Sequence, residues 1–150
     1  MSDRDLLELY SGRILALASS IPNAGRLPAP QGAARRRAPL CGSTVGAEVT
    51  LRDGRIAEFA QDVRACALGQ AAASVVGAAA PGRSLAEVRA ARESLRAMLQ
   101  DGAPPPAAPF DGLSVLIPAR GHANRHGSIL LSLDALIEAA EAAEATAVPS

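Results

Sequence analysis

Lysine is missing altogether from the 150 residues: the 15 basic positions are all Arg, and 15 acidic residues balance them. A chain of zero formal charge offers nucleic acid no field to follow. Its tightest basic cluster, Arg35-Arg36-Arg37, is too short for such a footprint and reads as a solvated strand edge or a docking patch. Aromatics are almost missing too, with two Phe, one Tyr and no Trp, which removes the stacking platforms that single-strand binders use. The longest apolar stretches are Ala-rich and broken by polar residues, short of the ~20 residues of a membrane span. The first residues, Met-Ser-Asp-Arg-Asp, lack the basic start and apolar run of a signal peptide. A cytoplasmic location is expected. Cysteine is down to Cys41 and Cys66, which in that compartment read as reduced thiols rather than a disulfide.

What remains is one domain's worth of chain, 1–150, with tails at 1–3 and about 145–150 expected to be flexible. At this size folding buries roughly 68–70% of the chain's surface, so no disulfide or structural metal is needed for stability. Ser2 and Asp5 form a weak capping box before a helix whose stripe is Leu6, Tyr10, Ile14 and Leu17. Pro22, Gly25, Pro28 and Pro30 then enforce a long loop. From Thr44 to Leu51 the period changes to two, with Val45, Ala47, Val49 and Leu51 on one side and Thr44, Glu48 and Thr50 on the other. Asp53-Gly54 marks a hairpin, and Arg55 to about Val63 returns as its second strand. A third strand, within Ala33 to Leu40, is expected to lead into Cys41.

Cys66 to Ala80 is apolar nearly all round and reads as a buried helix. Ser84 and Glu87 form a better capping box, ahead of a stripe of Leu85, Val88, Leu95, Met98 and Leu99. Four prolines make Gly102 to Phe110 a loop. Asn124 is a candidate cap for a last helix carrying Ile129, Leu133, Leu136 and Ala140. A small antiparallel three-stranded sheet packed against several helices is an α+β domain.

Two places can carry chemistry. Pro39-Leu40-Cys41-Gly42-Ser43 puts a thiol at a sharp turn before a strand, where glycine lets the backbone approach a bound ion or partner. Cys66-Ala67-Leu68-Gly69 puts the other where a strand ends and a helix begins. Free N–H groups at a helix start favour the thiolate, which is the metal ligand and nucleophile. Cysteine is also a common inert core residue, so a shared function for the pair rests on more than its presence.

These pieces in this order resemble the NifU N-terminal, IscU and SufU scaffolds for iron–sulfur cluster assembly. The likeness is carried by Pro39-Leu40-Cys41-Gly42, a strand, Asp53-Gly54-Arg55-Ile56, Cys66-Ala67-Leu68 opening an Ala/Ser-rich helix, and Gly82-Arg83-Ser84. Arg125 to Leu136 is similar to the stretch around the family's third cysteine, and the likeness runs from about Leu6 to Leu136. It implies the small-sheet fold above, a site of three cysteines and a carboxylate, a transient iron or [2Fe–2S] load or zinc, and a cysteine desulfurase and cluster carriers or acceptors as partners. Cys41 and Cys66 match the first two cysteines. Ser43 stands where the pattern has Asp, Ser128 where it has the third cysteine, and Gly127 where some members place His.

A serine hydroxyl is a poor ligand for soft metals and carries no persulfide. His126, two residues before Ser128, is the nearest replacement donor; it reads either as a third ligand or as a solvated residue at a helix start. His122 reads as an open-loop residue, and Arg125 as a surface residue or one that orients a sulfur or carboxylate. The leading expectation is a scaffold-like protein binding metal through Cys41, Cys66 and His126, with Ser43, Ser128 and Arg125 lining the site. The rivals are a degenerate docking module that builds no cluster, and a sulfurtransferase using Cys66. A scaffold or carrier, rather than a conventional enzyme, is the expectation.

Overall fold

Residues 10–147 are described in the computed structural model of the chain. The Ser2–Asp5 capping box and Leu6 therefore lie outside the described residues. Ser11 caps helix α1 (Gly12–Ala18), its hydroxyl accepting from the Ile14 N–H at 3.4 Å. Ile14 is buried and Leu17 packs partly against the core.

The sheet has the expected three antiparallel strands, in order β1 (Gly32–Arg37), β2 (Thr44–Arg52) and β3 (Arg55–Arg64). Asp53 and Gly54 both take positive φ, 54° and 74°, as a two-residue primed turn between the paired Arg52 and Arg55 requires. Val45, Ala47 and Val49 are buried as their alternation predicts. Glu48 departs from that pattern. The loop before β1 folds over the outer face of the sheet, where the Leu27 N–H (2.8 Å) and Arg26 Nε (3.2 Å) donate to its carboxylate and leave it only 9% exposed.

Helix α2 (Ala67–Ala79) is buried along most of its length. Helix α3 (Leu85–Gln100) opens on a complete capping box: the Glu87 N–H donates to Ser84 Oγ, and the Ser84 N–H to Glu87 Oε1. A 3₁₀ run at Asp111–Gly121, to which the sequence reading assigns no element, precedes α4 (Ala123–Ala147). Its buried Leu113, Leu116 and Ala119 recur every three residues, the period of that helix. Asn124 is not the cap of α4, because the helix already begins at Ala123 and the Arg125 N–H bonds to the His122 carbonyl. The far end of α4 extends to Ala147, past the expected onset of the tail.

The long helix α4 lies across β1 and β2 and against α2 and α3, so it touches every layer. Its Ile129, Leu133, Leu136 and Ala140 are fully buried. Truncating one such leucine to alanine typically costs ~2–5 kcal/mol. That packing fixes the rotation of α4 and hence the direction in which its first turns point. No described helix is long and apolar enough to cross a membrane.

Candidate functional site

Three elements meet beside the end of the β1–β2 connection. The chain from Ala38 to Ser43 closes as a turn: the Ala38 N–H donates to the Ser43 carbonyl (2.8 Å) and the Gly42 N–H to the Ala38 carbonyl (2.9 Å). Gly42 sits at φ 74°, in the left-handed region that glycine enters without strain. This turn leaves Cys41 and Leu40 exposed, Leu40 by 79%, and tucks Ser43 inward. The second element is the N-terminus of α2. Cys66 is its N-cap residue with extended backbone (φ −68°, ψ 170°), yet its side chain makes no capping hydrogen bond. The thiol is thereby left to face the cavity. The third element is the first turns of α4, carrying Arg125 and the buried Ser128.

Side chains from the three elements connect in series. Cys41 Sγ lies 3.1 Å from Ser43 Oγ, Ser128 Oγ donates to Ser43 Oγ at 3.0 Å, and Cys66 Sγ lies 3.6 Å from Ser128 Oγ. The two serines thus bridge the two thiols. A shallow cavity of about 310 Å³ opens above them, lined by Cys41, Gly42, Ser43, Arg64, Cys66 and Arg125. Ser128 reaches its place because α2 carries glycine opposite it. A Cβ on Gly69 would stand 2.5 Å from Ser128 Oγ and 3.1 Å from the Ser128 carbonyl oxygen.

The Ser43 hydroxyl bonded to the Cys41 sulfur holds that thiol below its ordinary pKa. Partial desolvation opposes this, while the Ser43 N–H, the Ser128 hydroxyl and the Arg125 charge add to it. The thiolate form is therefore favoured, relative to an unperturbed thiol, at the exposed end of the series.

His126 is placed elsewhere. It is buried, its Nε2–H donates to the Ala119 carbonyl at 2.9 Å, and it does not line the cavity. Two residues along a helix is a rotation of about 200°, so when Ser128 faces the thiols His126 points toward the 3₁₀ run. Among the described residues no three His, Cys, Asp or Glu side chains gather closely enough to hold a metal ion. The expected Cys–Cys–His set is not assembled. His122 ends the 3₁₀ run, also off the cavity, and Gly127 is exposed. Sequence reasoning misses two residues here. Arg64 lines the cavity simply by ending β3 two positions before Cys66, and Gly69 is signalled only by the Cys-Ala-Leu-Gly spacing. The donor set is two soft thiols and two hard hydroxyls with no carboxylate, which suits a soft ion but fills half of a tetrahedral shell.

An α+β unit with this three-stranded antiparallel sheet and its helices is the fold of the scaffold class that the sequence resembles. Comparison with known proteins bears this out. The structure superposes on the N-terminal NifU-like protein of Brucella abortus, described as nitrogen-fixing, with a TM-score of 0.90 and 36% identity over 94% of this chain and 98% of that one. It also superposes on a putative iron–sulfur cluster assembly scaffold protein for the SUF system of Fervidobacterium islandicum. There the TM-score is 0.78 at 17% identity, covering 89% of this chain and 98% of that one, which speaks for the fold alone. No family profile and no curated protein sequence matches the chain. The chain belongs to the NifU/IscU/SufU family.

Proposed function

We propose that this chain is an iron–sulfur cluster assembly protein of the scaffold type, which takes up iron, zinc or a labile [2Fe–2S] cluster at Cys41 and Cys66 and passes it on in the cytoplasm. The observation that carries the reading is the convergence of two thiols from separate elements on one cavity, joined through Ser43 and Ser128. Neither thiol serves a disulfide or a helix cap. The cluster is cargo here: the residues hold and release it. A cysteine desulfurase and iron–sulfur carrier or acceptor proteins are the matching partners.

The test is metal content and visible absorption of protein purified away from oxygen. Cys41→Ala and Cys66→Ala should each weaken zinc or iron binding by more than tenfold, or ~1.4 kcal/mol. A double alanine variant that retains as much metal as the wild type would sink the reading. One observation favours a second reading, a docking module that builds no cluster. Hydroxyls occupy both positions where the family pattern has Asp and Cys, and they hydrogen-bond to each other. A wild-type protein that binds its partners while staying metal-free would select it.

A further inference from the structure

The cavity is short of donors and rich in positive charge. Cys41 and Cys66 supply two soft ligands, whereas a tetrahedral ion takes four. Ser43 and Ser128 are buried and already spent on each other. Two guanidinium groups, Arg64 and Arg125, line the cavity, and a third, Arg37, lies beside its lining residue Gly42, 3.5 Å from where a Cβ there would be. Arg37 and Arg125 form no ion pair among the described residues, and Arg64 reaches only Asp62, at 3.7 Å. No carboxylate lines the cavity. Two thiolates cancel a divalent ion, so Arg37 and Arg125 keep their charge uncompensated once metal is bound, and Arg64 has only its long contact with Asp62.

Whatever completes the shell must therefore bring sulfur and negative charge together. A second copy of the chain brings two thiols, but with them three more arginines facing these, which is unfavourable for like charges. A volume of about 310 Å³ lies at the small end of ligand pockets and suits a molecule of two or three residues. We propose, on the reading that Cys41 and Cys66 bind metal, that the open coordination positions are filled by a low-molecular-weight thiol carrying carboxylates. Its sulfur binds the ion, the thiol proton passes to water, and a bound water leaves. Its carboxylates pair with Arg64, Arg125 and Arg37, a geometry that guanidinium groups favour. No electron is transferred in this step.

The experiment uses the full chain under anaerobic conditions, with Co²⁺ as the spectroscopic ion. Three thiols are compared at matched thiolate concentration: glutathione (anionic), 2-mercaptoethanol (neutral) and cysteamine (cationic). Glutathione should raise Co²⁺ affinity at least tenfold more than cysteamine does, with stronger sulfur-to-cobalt absorption. Native mass spectrometry should show one chain, one ion and glutathione. The Arg64→Gln/Arg125→Gln variant should lose that preference yet keep its response to 2-mercaptoethanol. Equal enhancement by all three thiols overturns the proposal, as does a full tetrahedral spectrum with no added thiol or a species of two chains per ion. Each of those leaves the metal-binding reading standing, whereas a chain that binds no Co²⁺ in any arm overturns both.

Discussion

Adding one methyl group at Gly69 sets two opposing effects against each other at the point where α2 meets α4. Glycine within a helix costs about 1 kcal/mol relative to alanine, so Gly69→Ala would stabilise an isolated α2. In the folded chain the new Cβ meets Ser128 Oγ at 2.5 Å, Ala65 Cβ at 2.9 Å and the Ser128 carbonyl oxygen at 3.1 Å. Ser128 is only 2% exposed and is held between Ser43 and Cys66, and its carbonyl belongs to a helix that packs on every layer. Little there can give way without moving α4, and overpacking of this kind costs ~1–3 kcal/mol. The clash should win, leaving the variant about 1 kcal/mol less stable, which is roughly 2–4 °C in Tm at this chain length. Urea unfolding gives the stability, and Co²⁺ titration reads whether Cys66 and Cys41 still meet. The control is Gly12→Ala at the start of α1, where a Cβ finds nothing within 4 Å; it should be neutral or slightly stabilising. A Gly69→Ala protein about 1 kcal/mol more stable than the wild type, with unchanged metal binding, would show that α4 yields freely and refute the reasoning.

Three further outcomes follow from the same geometry. Alkylation of Cys41 should show its half-rate point below the ordinary thiol pKa of 9.0, and Ser43→Ala should move that point up. By linkage a depressed folded value adds stability that is complete above the unfolded pKa and disappears as pH falls through the folded one, so Cys41→Ala should flatten stability between those limits. His126→Ala should cost about 1 kcal/mol from the lost hydrogen bond to the Ala119 carbonyl, which keeps the His122 N–H as its other donor, while zinc affinity stays within twofold of wild type; a tenfold loss would restore His126 as a ligand. Incubation with a desulfurase and cysteine should load the Ser128→Cys variant with more persulfide sulfur than the wild type, read by mass: the variant adds a thiol where a serine hydroxyl near neutral pH does not attack the donor sulfur, and sulfur on the wild type can reside only on Cys41 or Cys66.

The parts of the fold that were legible are those decided within a few residues of chain. Val45, Ala47 and Val49 announce a strand by alternation, Asp53-Gly54 needs only its own φ angles, and Ser84 with Glu87 closes a cap inside one turn. The thiols were legible for the same reason, since each flanks a strand of the hairpin and the hairpin brings its ends together. What escaped depends on distant partners. Glu48 is buried by a loop more than 20 positions away, whose main-chain N–H at Leu27 no periodicity reveals. Asn124 is a good capping residue by type, but the 3₁₀ run delivers the chain to α4 two positions earlier than that cap requires. His126 faces the 3₁₀ run because a residue about 200° round the helix from Ser128 does not share its direction.

Ser43 and Ser128 bear most directly on how the site departs from the family pattern. They lie 85 positions apart, and a reading along the chain treats them as two separate losses, of a carboxylate and of a thiol. In the folded chain they are one feature, a hydroxyl pair at 3.0 Å whose outer oxygens touch the two sulfurs. A lone Asp at position 43 would sit against the buried Ser128 hydroxyl. A lone thiol at 128 would leave Ser43 with a weaker donor. Groups in contact are not expected to act additively, so restoring both positions should change metal affinity by more, or less, than the two single changes combined. The serines therefore act as one coupled feature, with their hydroxyls bonded to each other between the two thiols.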